Sequence, residues 1–556
     1  MNSNNRKLIS LVLLLGIFNL TPQVTKAEDI SQNTLQGLEN SGVQLNNTLS
    51  YLERQRILKR ITEEQAKRRA IIEDNQEKTQ GDGENEIKFN LNQIIVSPSK
   101  VLSQDEINQV SKLYIGKEIS LQDLYAITDK LNDLYTKKGY ITCKAILKPQ
   151  RIKNGVVHIT LIEGKTGKIN IVGNDTTTGK YILDRIPLKN DDISNIYDMN
   201  EDLLRFNATN DVQLRISMQA GEQEGTTDYV ITAIEPKKET ISVYADNAGS
   251  DSSGIWREGI FYNNRSLNGH RDSLNISTMF SEGTNSVSAM YQTPIGHSGT
   301  KLVLSYSTNS IHIIDGDLED MDVQGHSSAF SLSFIQPLRI TEDLRTEVNF
   351  DYGYQNSQTD FLGIHWVDDT ANNYTLGYSI IDYGDSSVIY QKHNYRVGGS
   401  QDIMGESTDY GKYMFNGLYQ KGYTHGQMLS TRLDGQWSST NYLPSVEQFY
   451  IGGAYSVRGY KESLLGGDSG FSASLEYSVP LDKNKTTSMF TFFDYGQVLG
   501  ASAFDDHILA GAGIGLKSII DQRVYTSLTL GVPLMRELNG TQVSKTRLHF
   551  MINGQF

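Results

Sequence analysis

The fold class predicted by this sequence is a transmembrane β-barrel of about sixteen antiparallel strands, preceded by two small α/β modules and an N-terminal helix. Three observations predict it. From Ile241 to Phe556 the hydrophobic period is two. The connections between the alternating segments themselves tend to alternate between short and long. No run of 18 or more apolar residues follows the N-terminus, so strands rather than helices must make any membrane crossing.

Composition fits that class. The apolar fraction of 38% is low for a conventional core in 556 residues, while 30 Tyr, 49 Gly and only 10 Pro suit interfacial girdles and turns. A net charge of −14 argues against a nucleic-acid partner, for which a basic stripe would be the footprint. The single Cys143 excludes an intramolecular disulfide and a Cys-rich metal site, and is expected to pack as a small apolar residue.

Residues 1–27 read as a signal peptide. Arg6 and Lys7 precede the apolar run Leu8 to Leu20, and Thr25-Lys26-Ala27 offers small residues at the cleavage position, making Glu28 the expected mature start. Residues 28–85 form a helical region and linker. Leu52, Ile57, Leu58, Ile61, Ala66, Ala70 and Ile71 are thinly spread among Glu, Lys, Arg and Gln, a stripe too sparse for a core helix. Two readings fit: a solvated or self-associating helix, or a plug inside a water-filled barrel. Gly81-Asp82-Gly83 reads as a flexible linker.

Residues 86–164 hold the first α/β module. Strands are expected around Phe89 to Val96, Ile141 to Leu147 and Val156 to Glu163, with helices around Ser103 to Leu113 and Leu121 to Lys138. Asn154-Gly155 is a hairpin turn, because both residues tolerate positive φ. Residues 165–239 repeat the theme, with strands at Ile169 to Asn174, Val212 to Met218 and Tyr229 to Ile234, and a helix near Ile193 to Asn207. Such modules either capture extended chains at a sheet edge or act as spacers.

Residues 240–556 form the barrel. Phe471, Ala473, Leu475, Tyr477, Val479 and Leu481 alternate with Ser472, Ser474, Glu476 and Ser478; Leu429, Thr431, Leu433 and Trp437 alternate with Ser430, Arg432, Asp434 and Gln436. Seven connections are short, from Ser266–His270 to Ile520–Gln522. Between them fall Asn247–Gly254, Ile314–Gly325, Thr359–Ala371, Gln401–Lys412, Ser439–Gly470 and Gly500–Asp506, expected to be long external loops, with Ser281–Asn285 a short exception. At the C-terminus Leu548, Phe550, Ile552, Gly554 and Phe556 share one face.

Two motifs stand out. Val457-Arg458-Gly459-Tyr460 lies in the longest of these connections, the sixth external one, too long for an idle hairpin. Phe492-Phe493-Asp494-Tyr495-Gly496 puts a carboxylate on an apolar, aromatic strand, where it needs a partner because an unpaired buried charge is costly. Arg458 is the candidate partner. No Walker phosphate loop, H-E-x-x-H or G-x-S-x-G is present, the ten His are scattered, and Gly467-Asp468-Ser469-Gly470 is explained by turn composition. No catalytic residue, cofactor or metal is therefore expected.

The V-R-G-Y and F-x-D-x-G pair resembles the outer-membrane transporters of two-partner (type V) secretion, the TpsB family of the haemolysin and filamentous-adhesin secretion and activation type. The resemblance extends to Tyr135, Gly139 and Tyr140, then Pro149-Gln150, Gly155 and Glu163-Gly164, which look like the signature of a first POTRA domain. The second module resembles another POTRA domain. Phe556, with Phe550, resembles the assembly signal of outer-membrane barrels. This resemblance implies that the sixth loop folds back into the lumen, where Arg458 pairs with Asp494. It also implies that the periplasmic POTRA domains bind a large secreted partner as an extended chain, and that the barrel conducts it to the cell surface. Outer-membrane lipid and the barrel assembly machinery are the other expected partners. Two further readings fit the fold: a factor that assembles other barrels, and a simple diffusion porin.

Overall fold

The computed structural model describes residues 40–65, 72–74, 88–316, 318–500, 507–521, 523–538 and 541–556. The expected signal peptide and the Gly81-Asp82-Gly83 linker lie outside them. The chain divides into two compact units, residues 69–236 and residues 1–68 with 237–556.

In the first unit, residues 88–164 place a three-stranded sheet against two helices, α2 (Gln104–Lys112) and α3 (Leu121–Lys137). Strand Val156–Ile162 is central, parallel to Gln93–Val96 and antiparallel to Lys144–Ile146. Both helices start on a capping box. Ser103 and Ser120 each accept from the backbone N–H three residues on, and Glu106 and Asp123 return the bond. Ile127, Leu131 and Tyr135 recur at helical spacing on the inner face of α3 and are fully buried with Cys143, Val157 and Ile159. Burial pushes the Cys143 thiol up to about 11, the behaviour of an inert core residue.

The signature residues of this module are placed by backbone geometry and one buried network. Gly139 ends α3 at φ +85°, and a Cβ there would lie 2.4 Å from Asn195 Oδ1 of the second module. The adjoining backbone is bound by the same neighbour, since Ile196 N–H donates to Gly139 O at 2.8 Å. Tyr140 N–H closes the helix end on Tyr135 O at 2.9 Å. Gln150, next to Pro149, braces the hairpin, donating to His158 O and accepting from His158 N–H, both at 2.8 Å. Asn154 and Gly155 turn with φ of +53° and +66°, and a Cβ on Gly164 would lie 2.4 Å from Thr142 O.

Glu163 accepts from Ser99 Oγ, from the Lys100 N–H at 2.9 Å, from the Val101 N–H at 3.2 Å and from Tyr135 Oη at 3.2 Å. Burial raises its pKa, but the four donors outweigh burial and hold the carboxyl below its ordinary value. A depressed folded pKa contributes stability that is complete above the unfolded value of about 4.3 and disappears as pH falls through the folded value. A Glu163→Gln fragment spanning Glu28 to Lys238 should therefore unfold at a urea concentration lower by ~0.5 M at pH 7. The gap to wild type should close in strong acid. Parallel urea curves that never converge with falling pH would contradict this.

Residues 165–234 repeat the α/β plan, with two helices, α4 (Gly179–Leu183) and α5 (Ile196–Thr209), over a sheet whose spatial order is Ile72–Asp74, Gln213–Ala220, Thr226–Ile234, Lys165–Val172. The first of these strands comes from the segment that follows the N-terminal helix, and it pairs parallel to Gln213–Ala220. Helix α4 was not read from sequence, because five residues cannot display a period.

The second unit is a closed barrel of sixteen antiparallel strands, from Glu239–Asp246 to Arg547–Gln555. Its first and last strands pair over Ser242↔Gln555 to Asp246↔Met551, and Phe556 N–H donates to Ile241 O at 2.8 Å. The faces are inverted relative to a soluble barrel. Leu475 and Tyr477 are 48% and 40% exposed, whereas Ser472 and Ser478 on the same strand are each 3% exposed. Phe550 and Phe556 lie on this outer face, Phe550 against Trp256.

Two expected loops are corrected. Thr359–Ala371 is a hairpin turning at Leu362-Gly363 between strands of 18 and 20 residues. Gln401–Lys412 shrinks to a turn between strands ending at Gln401 and starting at Ser407. Toward this end of the strands both faces carry polar residues, the inward ones such as Ser357 and Thr359 buried, so the ladder continues without the apolar alternation that marks it elsewhere.

Candidate functional site

The lumen is filled by two pieces of the chain itself. The first is α1 (Ser41–Gln65), a 25-residue helix about 37 Å long. Its polar character on every side suits a polar lumen and no other packed environment. At its start, Ser41 Oγ lies 2.9 Å from Ser357 Oγ and donates to Gln358 O at 2.8 Å, close to the Leu362-Gly363 hairpin. Twenty residues on, Ile61 packs among Ile381, Tyr383, Val388 and Tyr390, which flank a turn at the end of the barrel where its first strand begins. The helix therefore runs the length of the barrel. Charges pin it to the wall: Glu53 to Lys392 at 2.8 Å, Arg54 to Asp434 at 3.6 Å, and Arg60 to Glu347. The helix therefore lies against the inner wall of the barrel.

The second piece is the sixth loop, residues 439–468, folded back into the lumen. Arg458 and Asp494 meet there. The guanidinium binds the carboxylate through two parallel bonds, Nε to Oδ2 at 2.7 Å and Nη2 to Oδ1 at 2.8 Å, and the Arg458 N–H adds a third at 3.0 Å. The face of the guanidinium lies 3.6 Å from the Phe492 ring centroid. Both charges are essentially inaccessible, at 3% and 0%. Arg458 also donates to Glu476 at 2.8 Å and to Ser474 Oγ at 3.1 Å, and Lys517 completes the network on Glu476.

The rest of the tip is shaped by glycine. Gly459 adopts φ +102°, and the facing wall carries Gly511 and Gly531, where a Cβ would stand 2.1 Å from Arg458 O and 2.7 Å from Gly459 N. Gly496 leaves room for Val457, whose Cγ2 would be 2.9 Å from an added Cβ. Tyr460 Oη donates to Ala510 O at 2.8 Å and accepts from the Met535 N–H at 3.0 Å. Among the described residues no group of His, Cys, Asp and Glu is arranged to hold a metal ion.

Sequence reading missed the other partners of the loop. Glu476 and Lys517 carry no local motif, and neither does Glu447, which binds Arg396 and Lys412 on strands Ser387–Gln401 and Ser407–Gly422. Their only signal is that each is an inward position of an alternating strand or a charge within the loop.

Fold and lumen together define a bacterial outer-membrane transporter with periplasmic α/β domains. Comparison with known proteins places it further. Residues 225–518, over half of the chain, match the family model described as haemolysin secretion/activation protein ShlB/FhaC/HecB, and residues 89–164 match the ShlB-type POTRA domain. The chain belongs to this haemolysin secretion/activation family. It is 24% identical over 489 residues to the heme/hemopexin transporter protein HuxB of Haemophilus influenzae (82% of this chain, 85% of HuxB). It is also 24% identical over 481 residues to the outer membrane transporter CdiB of Escherichia coli (80% and 79%). The solved structure of CdiB from Escherichia coli superposes with a TM-score of 0.66 at 20% identity, covering 96% of this chain and all of that one.

Proposed function

We propose that this transporter exports one unfolded partner protein, of the adhesin or haemolysin type, from periplasm to cell surface, without nucleotide hydrolysis. The observation that carries the reading is the filling of the lumen. A closed barrel with a polar inner wall holds a helix and a loop of its own chain through ion pairs and hydrogen bonds at separate points. Such fillings can leave piecemeal and expose a polar conduit that offers a passing chain little apolar surface to adhere to. The second module supports the capture step. Strand Gln213–Ala220 pairs with Thr226–Ile234 on one side and on the other accepts an extended segment, Ile72–Asp74, in parallel register, so an incoming chain would be taken there by β-augmentation in place of that segment. Folding of the partner outside would make passage irreversible, and the exposed apolar belt of the barrel meets outer-membrane lipid. The C-terminal aromatic residues Phe550 and Phe556 would be read by the assembly machinery during biogenesis.

Surface and supernatant proteomics of a deletion strain against its complemented parent tests this. One large protein should vanish from outside the cell while other barrels keep their levels. A joint fall of many barrels would instead establish an assembly factor.

A further inference from the structure

The loop is held at two neighbouring stretches of the barrel wall, and the second hold touches the plug. Ser445–Glu447 forms a single helical turn early in the loop. The Glu447 side chain is completely buried, and its carboxylate meets Arg396 at 2.9 Å and Lys412 at 2.5 Å and accepts from Asn373 Nδ2 at 3.1 Å. The backbone of the same residue is bound too. Glu447 O accepts from Lys412 Nζ at 2.7 Å and from Gln436 Nε2 at 2.8 Å. These partners stand on strands Ile364–Tyr383, Ser387–Gln401, Ser407–Gly422 and Met428–Ser438. The Arg458 network uses strands Ser469–Pro480, Thr487–Leu499 and Ile508–Ile520.

The turn that Glu447 fixes is the seat of the outer end of α1. Asn46 Nδ2 donates to Val446 O at 2.9 Å and to Gln448 O at 3.1 Å, and Leu45 packs on Val446. The helix backbone comes so close that a Cβ on Gly42 would lie 2.1 Å from Ser445 Oγ. Arg458 itself binds the wall residues Asp494, Glu476 and Ser474, while its loop neighbours Tyr455 and Ser463 reach the helix at Arg54 and Asn47.

We propose that Glu447 is the positioning residue that couples the sixth loop to the plug: by pinning the Ser445–Glu447 turn to Arg396 and Lys412, it holds the outer half of α1 in the closed lumen. The coupling rests on the reading that α1 closes the conduit, and its test needs no exported partner. A carboxylate in this position has a specific consequence. Neutralising it leaves the buried Lys412 and the part-buried Arg396 facing each other without the carboxylate between them, so the turn is pushed from its seat and the helix loses its support.

The experiment is channel recording of purified full-length protein in planar lipid bilayers. Glu447→Gln should raise the open fraction by ~10-fold or more, since losing one member of a buried ion cluster outweighs the one tenfold unit that this shift requires. Its heat-modifiable migration should stay that of a folded barrel. The double variant Glu447→Lys with Lys412→Glu, which restores one opposite pair, should move the open fraction back toward wild type. In a Cys143→Ser background, Ser41→Cys with Ser357→Cys can staple the helix to the wall where the hydroxyls stand 2.9 Å apart. Oxidising this staple should close the Glu447→Gln channel, and reduction should reopen it. An open fraction unchanged in Glu447→Gln overturns the proposal. So does a Glu447→Gln channel that stays open with the staple formed, because the element released would then not be the helix.

Discussion

Replacing either Arg458 or Asp494 by alanine should abolish export of the partner protein, with a loss of at least ~100-fold, while the barrel still reaches the outer membrane. The two side chains share a bidentate bond, a third bond from the Arg458 backbone, and almost no water. Removing one strands the other charge in the lumen wall, a loss of about 3–5 kcal/mol for a buried pair. Asp494→Ala leaves Arg458 with Glu476, which Lys517 already occupies, so that substitution need not release the tip completely. Arg458→Ala leaves Asp494 with Ser474 Oγ at 2.6 Å and no cation bonded to it, so it should be the more damaging of the two. Quantitative blots of the secreted partner, with the transporter level measured in the same membranes, check both the loss and the ordering. Normal export by both variants would remove the pair from the mechanism.

The barrel was legible because its physics is periodic. A strand with lipid on one side and a polar lumen on the other must alternate, and Phe471 to Val479 does so at every position. That signal failed where its cause ended. Residues 355–373 continue two long strands with polar residues on both faces, Asn356 and Gln358 outward and Ser357 and Thr359 inward, so they read as a loop, although Leu362 and Gly363 supply the positive φ of a hairpin turn. The α/β module was legible for a different reason. Its two helices carry capping boxes and a one-sided apolar face, whereas α4 and the short parallel strand Ile72–Asp74 are too brief for any period to register.

The site divides along the same line. Arg458 and Asp494 announce themselves because each is chemically odd in its local setting, a charge among glycines and a charge among phenylalanines. Glu447, Arg396 and Lys412 are ordinary charges on polar stretches; Arg396 and Lys412 face each other across adjacent strands, and only the inward fold of the sixth loop sets Glu447 on that pair. Helix α1 is intermediate. Its sequence says that it cannot pack in an apolar core, but the choice between solvent and a wet lumen rests on Lys392, Asp434 and Glu347, more than 280 residues away.

Fixing α1 to the wall should stop export as completely as breaking the loop contact, and reversibly. The helix runs through the lumen from Ser41, at the outer end, to Ile61, at the periplasmic end, and the sixth loop fills space beside it. A passing chain therefore needs at least one of them to leave. The contacts of α1 suit departure: its charged pairs sit at intervals along a polar helix, each can be exchanged for water as the helix slides, and no continuous apolar seam has to be torn open. A disulfide between Ser41→Cys and Ser357→Cys, in the Cys143→Ser background, forms in the oxidising periplasm and ties the outer end of the helix to the strand beside it. Export should fall to the level of the deletion strain and return when a membrane-permeant reductant is added. Single-cysteine variants should export normally. Undiminished export with the disulfide fully formed would mean that the chain passes beside a resident helix, and the conduit would then have to open by movement of the loop alone.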